Sequence, residues 1–104
     1  MTAFSATSLS NLTGSLILSG CTALAAANLS ANITTSNGFT ATFSGCALPT
    51  ANVDAILAAF AAGIGSTTSG TLNLSGGTNG APTGGSSNAD YLTLIAAGIT
   101  VSKN

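Results

Sequence analysis

The sequence predicts a short α/β solenoid, with about four parallel strands on one face, the first turn backed by strand and the last two by helices. Three observations predict it: a strand-like phrase recurs four times, the segments between copies pass from strand-like to helix-like patterning, and charge is almost absent. The phrase is Leu16-Ile17-Leu18-Ser19-Gly20-Cys21, then Ala41-Thr42-Phe43-Ser44-Gly45-Cys46, then Leu72-Asn73-Leu74-Ser75-Gly76-Gly77, and more loosely Ile99-Thr100-Val101-Ser102-Lys103-Asn104. A short unit repeated in this way buries its apolar side only by stacking on its neighbour.

In chain order, residues 1–14 read as an N-terminal cap or arm, in which Phe4 and Leu9 form an extra half-turn over the first strand or reach a neighbour. Residues 15–104 read as the solenoid, a single domain. Side chains alternate between the faces of a strand. The inward columns are therefore Leu16, Ala41, Leu72, Ile99 and Leu18, Phe43, Leu74, Val101. The outward columns are Ile17, Thr42, Asn73, Thr100 and Ser19, Ser44, Ser75, Ser102, mostly hydroxyl or amide.

The copies lie 25, 31 and 27 residues apart, enough for a return path on the opposite side. In the first interval Ala27-Asn28-Leu29-Ser30-Ala31-Asn32 imitates the phrase, so the return is a strand. In the second, Val53, Ile56, Leu57, Phe60, Ala61 and Ile64 make the stripe of an amphipathic helix ending near Gly63. In the third, Tyr91, Leu92, Leu94 and Ile95 precede Gly98, and Ser87 to Asp90 is spaced like a capping box.

Composition excludes several classes of function. One Lys, no Arg, no His and two Asp make 3% charged residues, against roughly a quarter in an ordinary soluble domain. No basic patch is available for nucleic-acid phosphates or anionic lipids, so neither is expected as a partner. No window approaches the roughly 20 apolar residues of a spanning helix, and no membrane insertion is expected. Leu18-Ser19-Gly20-Cys21 imitates a lipoprotein signal, but residues 1–15 hold no Lys or Arg, and Ser10, Asn11, Thr13, Gly14 and Ser15 interrupt the apolar run. The phrase also returns mid-chain, so the expectation is no signal peptide and no lipidation. A net charge of −1 opposes self-association weakly. That suits a protein packed against copies of itself or other proteins of an assembly.

Catalysis is not expected. Without His, neither Cys21, Cys46 nor any Ser has a general base of the usual type. Asp54 and Asp90 each fall where a helix begins, which the helix dipole explains, and Tyr91 and Lys103 add no constellation. Two Cys without His do not complete a zinc site, nor two Asp a calcium cage, so no cofactor or metal is expected. The glycine stretches Gly63-Ile64-Gly65 and 76–85 lack the Gly-Lys-Ser/Thr ending of a phosphate loop. Sequons at Asn11, Asn28, Asn32 and Asn73 follow from a chain rich in Asn, Ser and Thr. Cys21 and Cys46 hold equivalent positions on successive turns, within disulfide range. They read as buried thiols filling one internal slot, which Gly77 and Asn104 occupy in the later turns.

The phrase resembles the Leu-x-Leu-x-x-(Asn or Cys) core of leucine-rich repeat (LRR) proteins. It is closest in form to the divergent bacterial and bacteriophage version whose units read Leu-x-Leu-Ser-Gly-Cys-Thr-Ala-Leu, matched by Leu16 to Leu24. Residues 48–104 resemble the terminal unit of those proteins. The matching residues are Leu48-Pro49, Val53-Asp54-Ala55-Ile56-Leu57-Ala58-Ala59, the run from Gly70 to Pro82, and Gly98-Ile99-Thr100-Val101, with Ile99 where Trp is usual. The resemblance implies a short solenoid used for structure or recognition, with no shared chemistry.

Three roles are consistent with these features. The first is a non-enzymatic structural protein of an assembly, such as a bacteriophage virion accessory (head decoration or fibre) or a surface filament subunit, at the virion or extracellular surface. The alternative is recognition of a glycan or protein through the strand face, with Ile17, Thr40, Thr42, Thr71, Asn73 and Thr100 as contacts. The third, binding of ice or a mineral, needs a flat and regular Thr array, which the column Ile17, Thr42, Asn73, Thr100 does not provide.

Overall fold

The computed structural model describes residues 2–104. They form a mixed α/β structure whose elements are β1 (Ala3–Ala6), β2 (Asn11–Leu12), β3 (Ser15–Ile17), β4 (Ala26–Leu29), β5 (Thr34–Thr35), β6 (Phe39–Thr42), α1 (Thr50–Ala62), β7 (Gly70–Leu74), α2 (Ala89–Ala97) and β8 (Thr100–Lys103). All pairings are parallel: β1 with β4, β2 with β5, and a four-stranded sheet in the order β3-β6-β7-β8. Each pass of the chain thus lays a strand beside that of the pass before. The first two passes carry strands on their backs as well; the third and fourth carry α1 and α2 there instead.

Residues 3–12 lie along the second pass, with Ala3–Ala6 level with Ala26–Leu29 and Asn11–Leu12 level with Thr34–Thr35. Phe4 packs against the core from this position. The sequence explains the sheet through alternation. In β6, Phe39 and Ala41 are buried while Thr40 and Thr42 are half-exposed; in β7, Leu72 and Leu74 are buried around Asn73. The stripe on α1 buries Val53, Ile56, Leu57 and Phe60, and the Phe60 ring stacks on Phe39 with centroids 5.6 Å apart. Each such side chain contributes about 1.5–3 kcal/mol by leaving water.

At the end of α1 the chain needs a residue with no side chain. A Cβ on Gly63 would lie 1.9 Å from the Ile33 carbonyl oxygen and 2.7 Å from the Thr34 nitrogen, so helix and second-pass backbone touch directly. The contact is fixed by the Ile33 N–H, which donates to the Ala59 carbonyl at 3.0 Å.

Three details differ from the sequence-based expectation. First, Leu72 pairs with Val101 and Thr71 with Thr100, so the last strand is displaced by two residues from the alignment that set Ile99 beside Leu72. The cause is the end of α2: Gly98 closes the helix and the Ile99 N–H still bonds the Leu94 carbonyl, so the strand starts only at Thr100. Second, the N-cap of α2 is Asn88, whose side chain accepts from the Tyr91 N–H, while Ser87 belongs to a preceding 3-10 turn. Third, α1 begins at Thr50, right after Pro49, so Asp54 lies beyond its first turn. Its carboxylate accepts instead from the Thr83 N–H at 2.8 Å and from the Thr83 hydroxyl. Asp90 does lie in the first turn of α2.

Candidate functional site

The outer face of the four-stranded sheet carries the candidate contact residues. Pairing sets Ser15, Thr40, Thr71 and Thr100 level in one column, and Ile17, Thr42, Asn73 and Ser102 level in the next. Strands lie about 4.8 Å apart and outward neighbours on a strand about 6.6 Å apart. All six residues singled out from the sequence therefore share one surface. Thr100 joins Thr40 and Thr71 rather than Ile17 and Thr42, a direct result of the two-residue displacement. Ser15 and Ser102 complete the columns. Ser15 lies just ahead of the repeated phrase, and the phrase alignment sets Ser102 one column over, so the sequence pattern points to neither.

The two columns differ in order. In the second, the Ser75 hydroxyl and N–H donate to the Asn73 Oδ1 at 2.7 and 3.0 Å, and the Thr42 hydroxyl donates to the Ser44 oxygen at 3.2 Å. These side chains are tied to the Ser-Gly turn that follows them. In the first column, the hydroxyls of Ser15, Thr40, Thr71 and Thr100 have no partner among the described residues. The first column is thus free to bond an external donor or acceptor. Ile17, at 61% exposure, is the one apolar side chain in either column. Neither column holds a titratable group.

The internal slot holds two cysteines and not four equivalent residues. Cys46 is buried, and its thiol donates to the Leu18 carbonyl at 3.0 Å. Burial pushes this thiol above its ordinary pKa, outweighing the backbone of Cys21, which acts in the opposite direction. Cys21 is half-buried. On the third pass Gly77 has φ of 55°, and a Cβ there would lie 2.4 Å from the Cys46 carbonyl oxygen. The left-handed backbone itself closes the slot, so no side chain fits. Asn104 lies outside the slot, because the displaced strand ends level with the Ser-Gly turn. Its side chain accepts from the Gly76 N–H at 2.8 Å and donates to the Gly76 and Asn79 carbonyls at 3.2 and 2.8 Å.

Asn104 is one of three asparagines whose side-chain amides both accept from and donate to the backbone of a neighbouring pass. On α1, the Asn52 side chain accepts from the Ala27 N–H at 2.9 Å and donates to the Ala27 carbonyl at 2.7 Å. Asn79, 5% exposed, accepts from the Leu48 N–H at 2.9 Å and donates to the Phe43 and Leu74 carbonyls at 2.9 and 3.1 Å. These amides satisfy backbone groups where a strand pairs on one side only. No sequence signal separates them from the other Asn residues.

Among the described residues no three Cys or Asp side chains converge, and no cavity is enclosed. The Lys103 ammonium lies 5.1 Å from the Tyr91 ring centroid, a cation–π contact. Among the described residues no helix is long and apolar enough to cross a membrane. No protein-family model, curated protein or solved structure matches the chain.

Proposed function

We propose that the chain is a short leucine-rich-repeat-like solenoid acting as a non-enzymatic structural subunit. Its place is a larger assembly such as a bacteriophage virion accessory, head decoration or fibre, or a surface filament. The carrying observation is where apolar surface remains. The exposed large apolar residues among those described are Ile17 on the first pass, at 61% exposure, and Leu92 and Ile95 on the last, at 49% and 41%. The same two passes carry the unpaired sheet edges, β3 and β8. An open strand edge with apolar neighbours favours association, and three charged residues in 104 oppose it weakly. The natural partners are copies of the chain or other proteins of the assembly.

Sedimentation velocity over a wide concentration range tests this reading. The wild type associates reversibly, and the Leu92→Ser, Ile95→Ser double variant shifts toward monomer at unchanged thermal midpoint. A wild type that stays monomeric to millimolar concentration overturns it. The column of Ser15, Thr40, Thr71 and Thr100 supports a second reading, recognition of a surface glycan or protein through neutral hydroxyls. A glycan array that lights up with wild type and dims with Thr71→Val supports it, and silence with both refutes glycan recognition.

A further inference from the structure

We propose that Cys21 and Cys46 are a redox site, a thiol pair on successive passes that closes to an intramolecular disulfide when a low-molecular-weight disulfide oxidises it. The register puts them level. Ile17 pairs with Thr42, and the ladder continues beyond the strands, with the Leu18 N–H on the Thr42 carbonyl at 2.8 Å and the Gly20 N–H on the Ser44 carbonyl at 2.7 Å. Neighbouring strands are about 4.8 Å apart, inside the roughly 4.4–6.8 Å between Cα atoms that a disulfide spans.

The side chains are oriented alike. The Cys21 sulfur lies 4.0 Å from the Ser19 carbonyl oxygen and the Cys46 sulfur 3.8 Å from that of Ser44, the same relation two residues back. Two such side chains, level on adjacent passes, share one orientation. Cys46 also leans toward the first pass, reaching the Leu18 carbonyl at 3.0 Å. Because Gly77 stands at this level on the third pass, Cys46 has only one thiol to meet. Access is asymmetric: Cys21 is half-buried and Cys46 buried.

That asymmetry orders the chemistry. Cys21 loses its proton and its sulfur attacks one sulfur of the small disulfide. The small S–S bond breaks, and the departing thiolate takes up a proton. The Cys46 sulfur, deprotonated in turn, attacks the Cys21 sulfur and expels the second small thiolate, which is also protonated. The protein dithiol is oxidised by two electrons, and one small disulfide becomes two thiols. The bond ties together the two passes that have no helix of their own behind them, and closing the long loop between them stabilises the fold.

The test is to treat the folded protein with oxidised glutathione and follow intact mass, with thiol counting after denaturation. The wild type is expected to lose two hydrogens, keep no free thiol, form no disulfide-linked dimer and melt at a higher temperature. Cys46→Ser is expected to stop at a glutathione adduct on Cys21, and Cys21→Ser to stay unmodified while folded. A wild type that ends with glutathione on Cys21 and a free Cys46 thiol overturns the proposal. So does one that forms disulfide-linked dimers, or one that keeps both thiols.

Discussion

Replacing Asn79 with Leu tests whether side-chain amides hold the passes together. Leu has the branching and heavy-atom count of Asn and is somewhat larger, so the substitution removes polar bonds without opening a void. It leaves the Leu48 N–H and the Phe43 and Leu74 carbonyls without the partners described above, and all three residues are at 0% exposure. At about 1.5 kcal/mol for each orphaned group, within the usual 1–3, the loss is about 4.5 kcal/mol. The added apolar side chain offsets about 1.5 kcal/mol, for a net loss of about 3. A domain of this size holds roughly 5–15 kcal/mol in total, so the thermal midpoint falls by about 12–24 °C. Thermal and urea unfolding followed by circular dichroism measure it. Asn28→Leu is the control, since Asn28 is exposed and makes no side-chain bond among those described; it changes stability by less than about 0.5 kcal/mol. A loss below about 1 kcal/mol for Asn79→Leu would show that water or backbone movement replaces the amide, and the reasoning fails.

Gly63→Ala is expected to cost more than about 2 kcal/mol, because the nearest atoms to its new Cβ are backbone of Ile33 and Thr34, the closest at 1.9 Å. Hydrogen exchange at the Ile33 amide reads the displacement, and Gly14→Ala, with no neighbour within 4 Å, leaves it unchanged; equal protection in both variants contradicts the close approach. Cys46 predicts a pH dependence under reducing conditions. Its folded pKa is raised by burial, so its contribution is fully present below the unfolded thiol value of about 8.5 and is lost as pH rises from there through the folded value. The urea midpoint of the wild type therefore falls more between pH 7 and pH 10 than that of Cys46→Ser, and parallel slopes refute the assignment.

Much of the fold is legible in the sequence where apolar spacing carries it. Val53, Ile56, Leu57 and Phe60 mark α1, and the alternation through Ala41–Phe43 and Leu72–Leu74 marks the inner side of the sheet. The register of β8 is not legible, for a physical reason. Strand side chains repeat every two residues, so a two-residue slip keeps every side chain on its expected face and changes only its neighbours. Ile99 and Thr100 still read as inward and outward, and pattern alone does not choose between the two alignments. The end of α2 chooses, through the bond from the Ile99 N–H to the Leu94 carbonyl. The N-cap of α2 is ambiguous in the sequence for a related reason: Ser87 and Asn88 are adjacent polar residues, either able to cap, and the structure uses Asn88. On the candidate face, the six residues were found by alternation, while the hydroxyl column through Ser15 emerges only from strand pairing. The bridging roles of Asn52, Asn79 and Asn104 depend on which backbone groups lack partners, which a linear pattern does not encode.

The three bridging asparagines also determine which solvents the fold tolerates. Amides neither gain nor lose a proton between strong acid and strong base, and a bond between an amide and a peptide group has no net charge for dissolved ions to screen. These amide joints are therefore indifferent to brine and to acid. Of the bonds described here that hold the passes together, only the Asp54 clasp on Thr83 involves a formal charge. A chain fastened this way is expected to keep its shape when its surroundings rise in salinity or acidity.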